Sequence, residues 1–162
     1  YIDAQLEAPG IRSERRMVPF AFLPAPIRAA EVLGAGSVLE VRRVNLADDE
    51  PFALVTVWCP EELGSRLSRH DVERSPFYEL IDVPLGGAVQ TIGATAAEAE
   101  VASVLDVPVG SPILHVERIT STPDGRAVLL SEHQYPAHLT EFVVDLPVAQ
   151  PSMAVTGLRL VE

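Results

Sequence analysis

The stretch Val38–Pro60, VLEVRRVNLADDEPFALVTVWCP, decides the fold. Residues 37–46 and 52–58 are two extended runs, and Ala47-Asp48-Asp49-Glu50-Pro51 between them reads as a short acidic turn. Such a pattern predicts an antiparallel hairpin. Within its first strand Arg43 and Asn45 stand two apart and share a face, while Arg42 points to the opposite one.

A second stretch repeats the theme. Residues 112–121 and 127–135 predict a hairpin around Thr122-Pro123-Asp124-Gly125. At an offset of 75 residues Leu39 coincides with Leu114, Val41 with Val116, Arg43 with Arg118 and Asp49 with Asp124. Each hairpin follows a short helix and a Gly-Ser step, which hints at an internal duplication. In the second hairpin His133 and Tyr135 share a face, and His133 and Glu132 point to opposite faces.

Outward from the hairpins, residues 15–23 predict a strand in which Pro19 marks an edge or a bulge. Residues 25–33 predict a helix with Pro26 near its start and Gly34 as its stop. Pro60 is expected to open a helix carrying Leu63 and Leu67. Ser75-Pro76 opens another, with Ser75 as N-cap and Phe77, Leu80 and Ile81 on one face. A strand over residues 88–94 follows Gly86-Gly87. Thr95 and Glu98 have the spacing of a capping box, ahead of an apolar stripe of Ala97, Val101, Val104 and Leu105. Residues 141–146 predict a last strand. These elements make an α+β domain on an antiparallel sheet.

Composition bounds the function. The 162 residues suit one domain, 1–162, and 48% apolar content is enough for a core. Twelve basic residues, all Arg, stand against 23 acidic ones, a net charge of −11. That balance argues against this chain gripping a nucleic-acid backbone, which needs a basic face. One Cys excludes an internal disulfide and a Cys-based zinc site. No apolar run approaches a membrane span of about 20 residues. A reducing, cytoplasmic setting is therefore the expectation. The sequence begins with Tyr1 rather than Met and is expected to be a piece of a longer protein.

Candidates for catalysis are few. Cys59, between Trp58 and Pro60, reads as a buried small hydrophobe with no base beside it. His70, His115, His133 and His138 form no metal-type pair, and there is no phosphate-binding Gly loop or Ser elbow. No catalytic residue, metal ligand or cofactor is assigned. The informative residues are polar ones placed to face inward: Arg43, Asn45, His133, Tyr135, and Ser75 at a helix start.

The Val38–Pro60 stretch resembles the core signature of the UTRA domain, the effector-binding half of HutC-type GntR-family transcriptional regulators. Ser75-Pro-Phe-Tyr78-Glu-Leu, the Ala94–Leu114 segment, Arg118, Asp124-Gly125 and Ser131–Tyr135 extend the resemblance over about residues 10–146. It implies a chorismate-lyase-like fold, a six-stranded antiparallel sheet flanked by helices. It also implies a homodimer, a small-molecule effector, and DNA contact only through a winged helix-turn-helix domain that this chain lacks.

The resemblance carries over in part to single residues. Arg43 matches the first Arg of the family's Arg-x-Arg pair, often an anion contact, and Asn45 replaces the second. Val55 and Leu129 fall where sugar-sensing members carry Glu. Tyr135 is kept, Ser75 matches a helix-start Ser that completes an anion site, and Gly10–Ser13 match an early loop closing over the ligand. His133 would line the wall. Replacing two carboxylates by Val and Leu would leave sugar hydroxyls unpaired at about 1–3 kcal/mol each. The implied effector is therefore less hydroxylated, with one anionic or strongly polar end. The alternatives are a chorismate-lyase-like enzyme, disfavoured because its acid positions are apolar here, and a bare dimerisation module.

Overall fold

The computed structural model describes residues 13–148 and Val161, with side chains described from Pro19 onward. Six strands, β1 (Ser13–Pro24), β2 (Ser37–Ala47), β3 (Glu50–Pro60), β4 (Gly87–Ala96), β5 (Pro112–Ser121) and β6 (Ala127–Pro136), form one sheet in the order β1-β2-β3-β6-β5-β4. Every neighbouring pair is antiparallel. The helices are short: α1 (Ile27–Leu33), α2 (Glu61–Gly64), α3 (Arg69–Arg74), α4 (Phe77–Leu80) and α5 (Ala99–Leu105), with a 3-10 turn at Ala137–Leu139. The α+β class and the six-stranded antiparallel sheet expected from the sequence are those observed.

The architecture has an internal two-fold logic. β1-α1-β2-β3 and β4-α5-β5-β6 have the same order of elements, and the halves join where β3 pairs β6. Arg43 faces Val55 across β2–β3, and Arg118 faces Ser131 across β5–β6. Val55 then faces His133, and Ser131 faces Val57, across the central pair. The offset of 75 residues seen in the sequence thus places Arg43 and Arg118 at corresponding positions of the two halves.

Alternation along the strands sorts the core onto two faces. On one face α1 buries Ala29 and Leu33 against Val38 and Leu130, and α5 buries Ala102 and Leu105 against Val44, Leu54 and Ile113. Arg28 ties α1 down, donating from Nε and Nη2 to the two carboxylate oxygens of Glu117 at 3.0 and 2.7 Å. On the other face the segment from α3 to Val83 packs Val72, Phe77 and Ile81 over Leu39, Val41, Val55, Val57 and Leu129. Each fully buried Leu or Val contributes about 1.5–3 kcal/mol. Leu39→Ala, at a fully buried position, should cost about 2–5 kcal/mol.

Local chemistry explains the boundaries. Pro19 lies on an edge strand and between the register positions Met17 and Phe20, where β1 bulges. Gly34 ends α1 in the left-handed region, φ 62°, donating to the Ala30 carbonyl. The β2–β3 turn is tighter than the five residues expected. Ala47 pairs Glu50, and Asp48 and Asp49 alone make the turn, with φ 49° and 65°. Two positive φ values match the right-handed twist of the strands, and Asp tolerates them.

Four further expectations are corrected, and one element is added. Ser75 is not a helix N-cap: it closes α3, donating its N–H to Asp71, and Pro76 takes the N-cap of α4. Thr95 caps nothing, because the ladder to Ile113 claims it for β4, and α5 starts from Glu98 without a side-chain cap. The helix at Pro60 ends at Gly64, where a Cβ would lie 2.7 Å from that of Leu39, so Leu67 packs from a loop. Residues 141–146 form no strand, since Pro136 and the Ala137–Leu139 turn lead the chain off β6. The short α3 was not anticipated: it is capped reciprocally by Ser68 and Asp71 and buries only Val72, so it carries almost no periodic signal.

Candidate functional site

The odd-numbered residues of β2, β3 and β6 and the even-numbered residues of β5 face α3 and α4 across a cavity of about 690 Å³. β2 supplies Arg43 and Asn45, β3 Val55 and Val57, β5 Arg118 and Thr120, and β6 Leu129, Ser131, His133 and Tyr135. Pro76, Phe77 and Tyr78 form the roof, and Leu85–Ala88 one side. Gly86 is required there: a Cβ would lie 2.7 Å from the backbone of Pro123 in the β5–β6 turn.

The cavity's charge is opposite to that of the chain. Among the described residues two guanidinium groups line it and no carboxylate does, in a protein of net charge −11. Arg118 is oriented by Gln90, whose Oε1 accepts from its Nε at 3.1 Å and Nη2 at 2.7 Å. Arg42, one residue from Arg43, points to the opposite face and pairs with Glu100 of α5. The strand parity read from the sequence is the observed one.

Beneath the arginines lies a chain of three polar side chains on β6. Nε2 of His133 is 3.0 Å from Ser131 Oγ, and Nδ1 is 3.3 Å from Tyr135 Oη. The His133 and Tyr135 rings stack at 6.1 Å and 17°, and Phe142 packs edge-on to Tyr135 at 5.6 Å. Burial, then the positive charges of Arg118 and Arg43, push the His133 pKa down to about 4. The ring is therefore neutral at pH 7. Burial pushes the Tyr135 phenol up to about 12, so it stays protonated. Asn45 is 9% exposed, and its Oδ1 is buried and accepts no hydrogen bond.

The opposite face has its own histidine. His115 Nε2 is 3.1 Å from Glu132 Oε2, and that hydrogen bond raises its pKa. The pair belongs to a surface network with Gln134, which donates to Glu132 at 2.9 Å.

Of the residues singled out from the sequence, Arg43, Asn45, Val55, Leu129, His133 and Tyr135 line the one cavity. Ser75 does not, although its neighbour Pro76 does. Ser13 begins β1, its side chain lies outside the described residues, and so do Gly10–Arg12. Arg118, Ser131 and Thr120 were not assigned to the site, although the 75-residue repeat relates Arg118 to Arg43. Among the described residues no group of His, Cys, Asp and Glu could hold a metal ion, and no helix is long and apolar enough to cross a membrane.

Comparison with known proteins yields a consistent set. The profile of the UTRA domain family matches residues 9–140. The HTH-type transcriptional regulator Rv0792c of Mycobacterium tuberculosis is 33% identical over 146 residues, 86% of this chain and 53% of that protein. The HTH-type transcriptional repressor NagR of Bacillus subtilis is 28% identical over 129 residues, 75% of this chain and 53% of that protein. The chain thus spans about half the length of these relatives. The crystal structure of the ligand-binding domain of a GntR-family transcriptional regulator from Bordetella bronchiseptica superposes with TM-score 0.76 at 27% identity, covering 87% of this chain and 93% of that one.

Proposed function

The chain belongs to the UTRA domain family, the effector-binding domains of GntR-family transcriptional regulators and not enzymes, and from that premise we propose that its cavity binds a small anionic effector. The observation that carries this reading is the pair Arg43 and Arg118 in a cavity to which no described residue brings a carboxylate, inside a strongly acidic chain. Guanidinium groups offer planar forks of donors to a carboxylate or phosphate. Val55 and Leu129, buried in the floor, contact the apolar part of the ligand. Asn45, His133 and Tyr135 meet its remaining polar atoms. Ser75 has no part in this site, and Ser13 is kept only as a candidate from the early loop.

In this reading residues 1–162 are one effector domain of a cytoplasmic regulator, and a winged helix-turn-helix domain elsewhere in the protein contacts DNA. Effector binding changes that domain's affinity for its operator, and the regulator acts as a repressor. The relatives of about twice the length support this arrangement.

The domain is also proposed to form a homodimer. β4 is the outer strand of the sheet, its ten residues GAVQTIGATA are all exposed, and none is charged. Val89 and Ile92 are 69% and 45% exposed. Free edges are usually guarded by charge, Pro or a bulge, and β4 has none of these. Antiparallel pairing with β4 of a second copy is self-complementary, as two-fold assembly requires.

The experiment is a thermal-shift series with matched probes, phenyl phosphate and benzoate against benzyl alcohol. A specific ligand at about 100 times its Kd stabilises by about 2.7 kcal/mol. The anions should raise Tm and benzyl alcohol should not. Equal shifts, or none with either anion, would contradict an anion site.

A further inference from the structure

Resting on that reading, we propose that the Ser131–His133–Tyr135 chain polarises the cavity from end to end, so that the effector carries, besides its anionic group, a neutral hydrogen-bond donor facing Tyr135 and Asn45. A neutral imidazole has one N–H and one lone pair. His133 is neutral because burial and the two arginines depress its pKa to about 4. Its two nitrogens are engaged by two hydroxyls, Ser131 at Nε2 and Tyr135 at Nδ1. One hydroxyl must give its hydrogen to the ring and then presents only lone pairs to the cavity. The other accepts from the ring and keeps its hydrogen to donate. Ser131 and Tyr135 therefore cannot both donate to a ligand.

The anion decides which does. Ser131 stands directly across the β5–β6 ladder from Arg118. An anion drawn to Arg118 takes the Ser131 hydrogen as a further donor. Ser131 Oγ then accepts from Nε2–H, Nδ1 holds the lone pair, and Tyr135 donates to it. Tyr135 Oη is left as an acceptor at the other end of the chain.

The second acceptor at that end is Asn45. Asn45 faces Ala53 in the β2–β3 ladder, and the β3–β6 register of Leu54 with Gln134 brings Ala53 beside Tyr135. Only the small Ala53 separates them. The buried Oδ1 of Asn45, with no hydrogen bond, gains one from a ligand donor placed there. The donor is neutral, a hydroxyl or an amide N–H, because Arg43 lies two residues from Asn45 on the same face and repels an ammonium group. The buried Val55, between Arg43 and His133 in the ladders, occupies the intervening floor. The ligand class is thus an acid with an apolar spacer and a distal donor.

The test uses phosphate esters that differ only at the distal end. 4-Hydroxyphenyl phosphate should bind wild type about tenfold more tightly than 4-methoxyphenyl phosphate, the worth of one net hydrogen bond. The preference should shrink in Asn45→Val and in Tyr135→Phe. A second measurement needs no variant: nitrogen-15 NMR of histidine-labelled wild type saturated with phenyl phosphate should show His133 protonated on Nε2 and bare on Nδ1. Equal or tighter binding of the methoxy ester, or a proton on Nδ1, overturns the inference while leaving the anion site standing. Failure of every phosphate ester to bind, or binding that leaves the Arg43 and Arg118 resonances unmoved, overturns both.

Discussion

The depressed His133 predicts a specific pH dependence of stability. Folding moves this imidazole from an ordinary pKa of 6.5 to about 4, chiefly by burial, with the charges of Arg118 and Arg43 adding to it. The unfolded chain takes up the proton near 6.5 and the folded one does not until about 4. Stability is therefore fully present above 6.5, falls as pH drops through that window, and levels below about 4. At about 1.36 kcal/mol per pH unit the loss has a ceiling of about 3 kcal/mol. The assay is urea denaturation of wild type and His133→Gln between about pH 7.5 and pH 4.5. The variant loses two hydrogen bonds, an offset of about 1–3 kcal/mol that is the same at every pH. Carboxylates titrating in the same range cancel in the difference between the two proteins. Over that pH range the difference should move by about 2.5 kcal/mol in the variant's favour on acidification. Parallel curves would refute the account of His133 as neutral and desolvated. His115 supplies the opposite sign. Its pKa is raised by the hydrogen bond to Glu132, so its contribution is full below 6.5 and is lost as pH rises through the raised value. The His115→Gln difference should therefore narrow toward alkaline pH, with a small amplitude because both partners are a third exposed.

Other consequences can be checked directly. Arg43→Ala should weaken binding of phenyl phosphate by about 2–4 kcal/mol in calorimetry, whereas Arg42→Ala, on the opposite face, should change it little; equal losses would place the strand parity in error. Val89→Lys puts a charge on the exposed β4 edge and should convert a dimer to a monomer in sedimentation, with unchanged circular dichroism. Cys59 is fully buried and its thiol is pushed up to about 12. It should react with a disulfide reagent only after denaturation, and fast labelling of the native protein would contradict its burial.

Much of this fold was legible because its signals are local. The two hairpins, the α1 stop at Gly34 and the Pro19 irregularity each rest on a backbone preference that tertiary structure does not override. Residues 141–146 alternate as a strand should, but alternation cannot report whether a partner strand is within reach. Thr95 illustrates the reverse: a good cap residue is drawn into a ladder that offers it backbone hydrogen bonds. Side-chain parity carried most of the site, since Arg43, Asn45, His133 and Tyr135 must face one way once their strands are known. Arg118 was visible as the 75-residue partner of Arg43 and as part of the family resemblance, but its place in the site depends on β3 pairing β6, a long-range event that no window of sequence contains. Ser75 failed for a related reason, because α3 takes it as its terminus before α4 can use it.

The proposed joint grip of Arg43 and Arg118 on an anion is followed most directly through their own side chains. In a titration of nitrogen-15-labelled protein with phenyl phosphate, the Nε–H resonances of Arg43 and Arg118 and the ring of His133 should shift saturably with one common Kd. Arg42 and Arg28, paired with Glu100 and Glu117 on the opposite face, should not move. Shifts confined to exposed arginines, or a common response that never saturates, would contradict an anion site in this cavity.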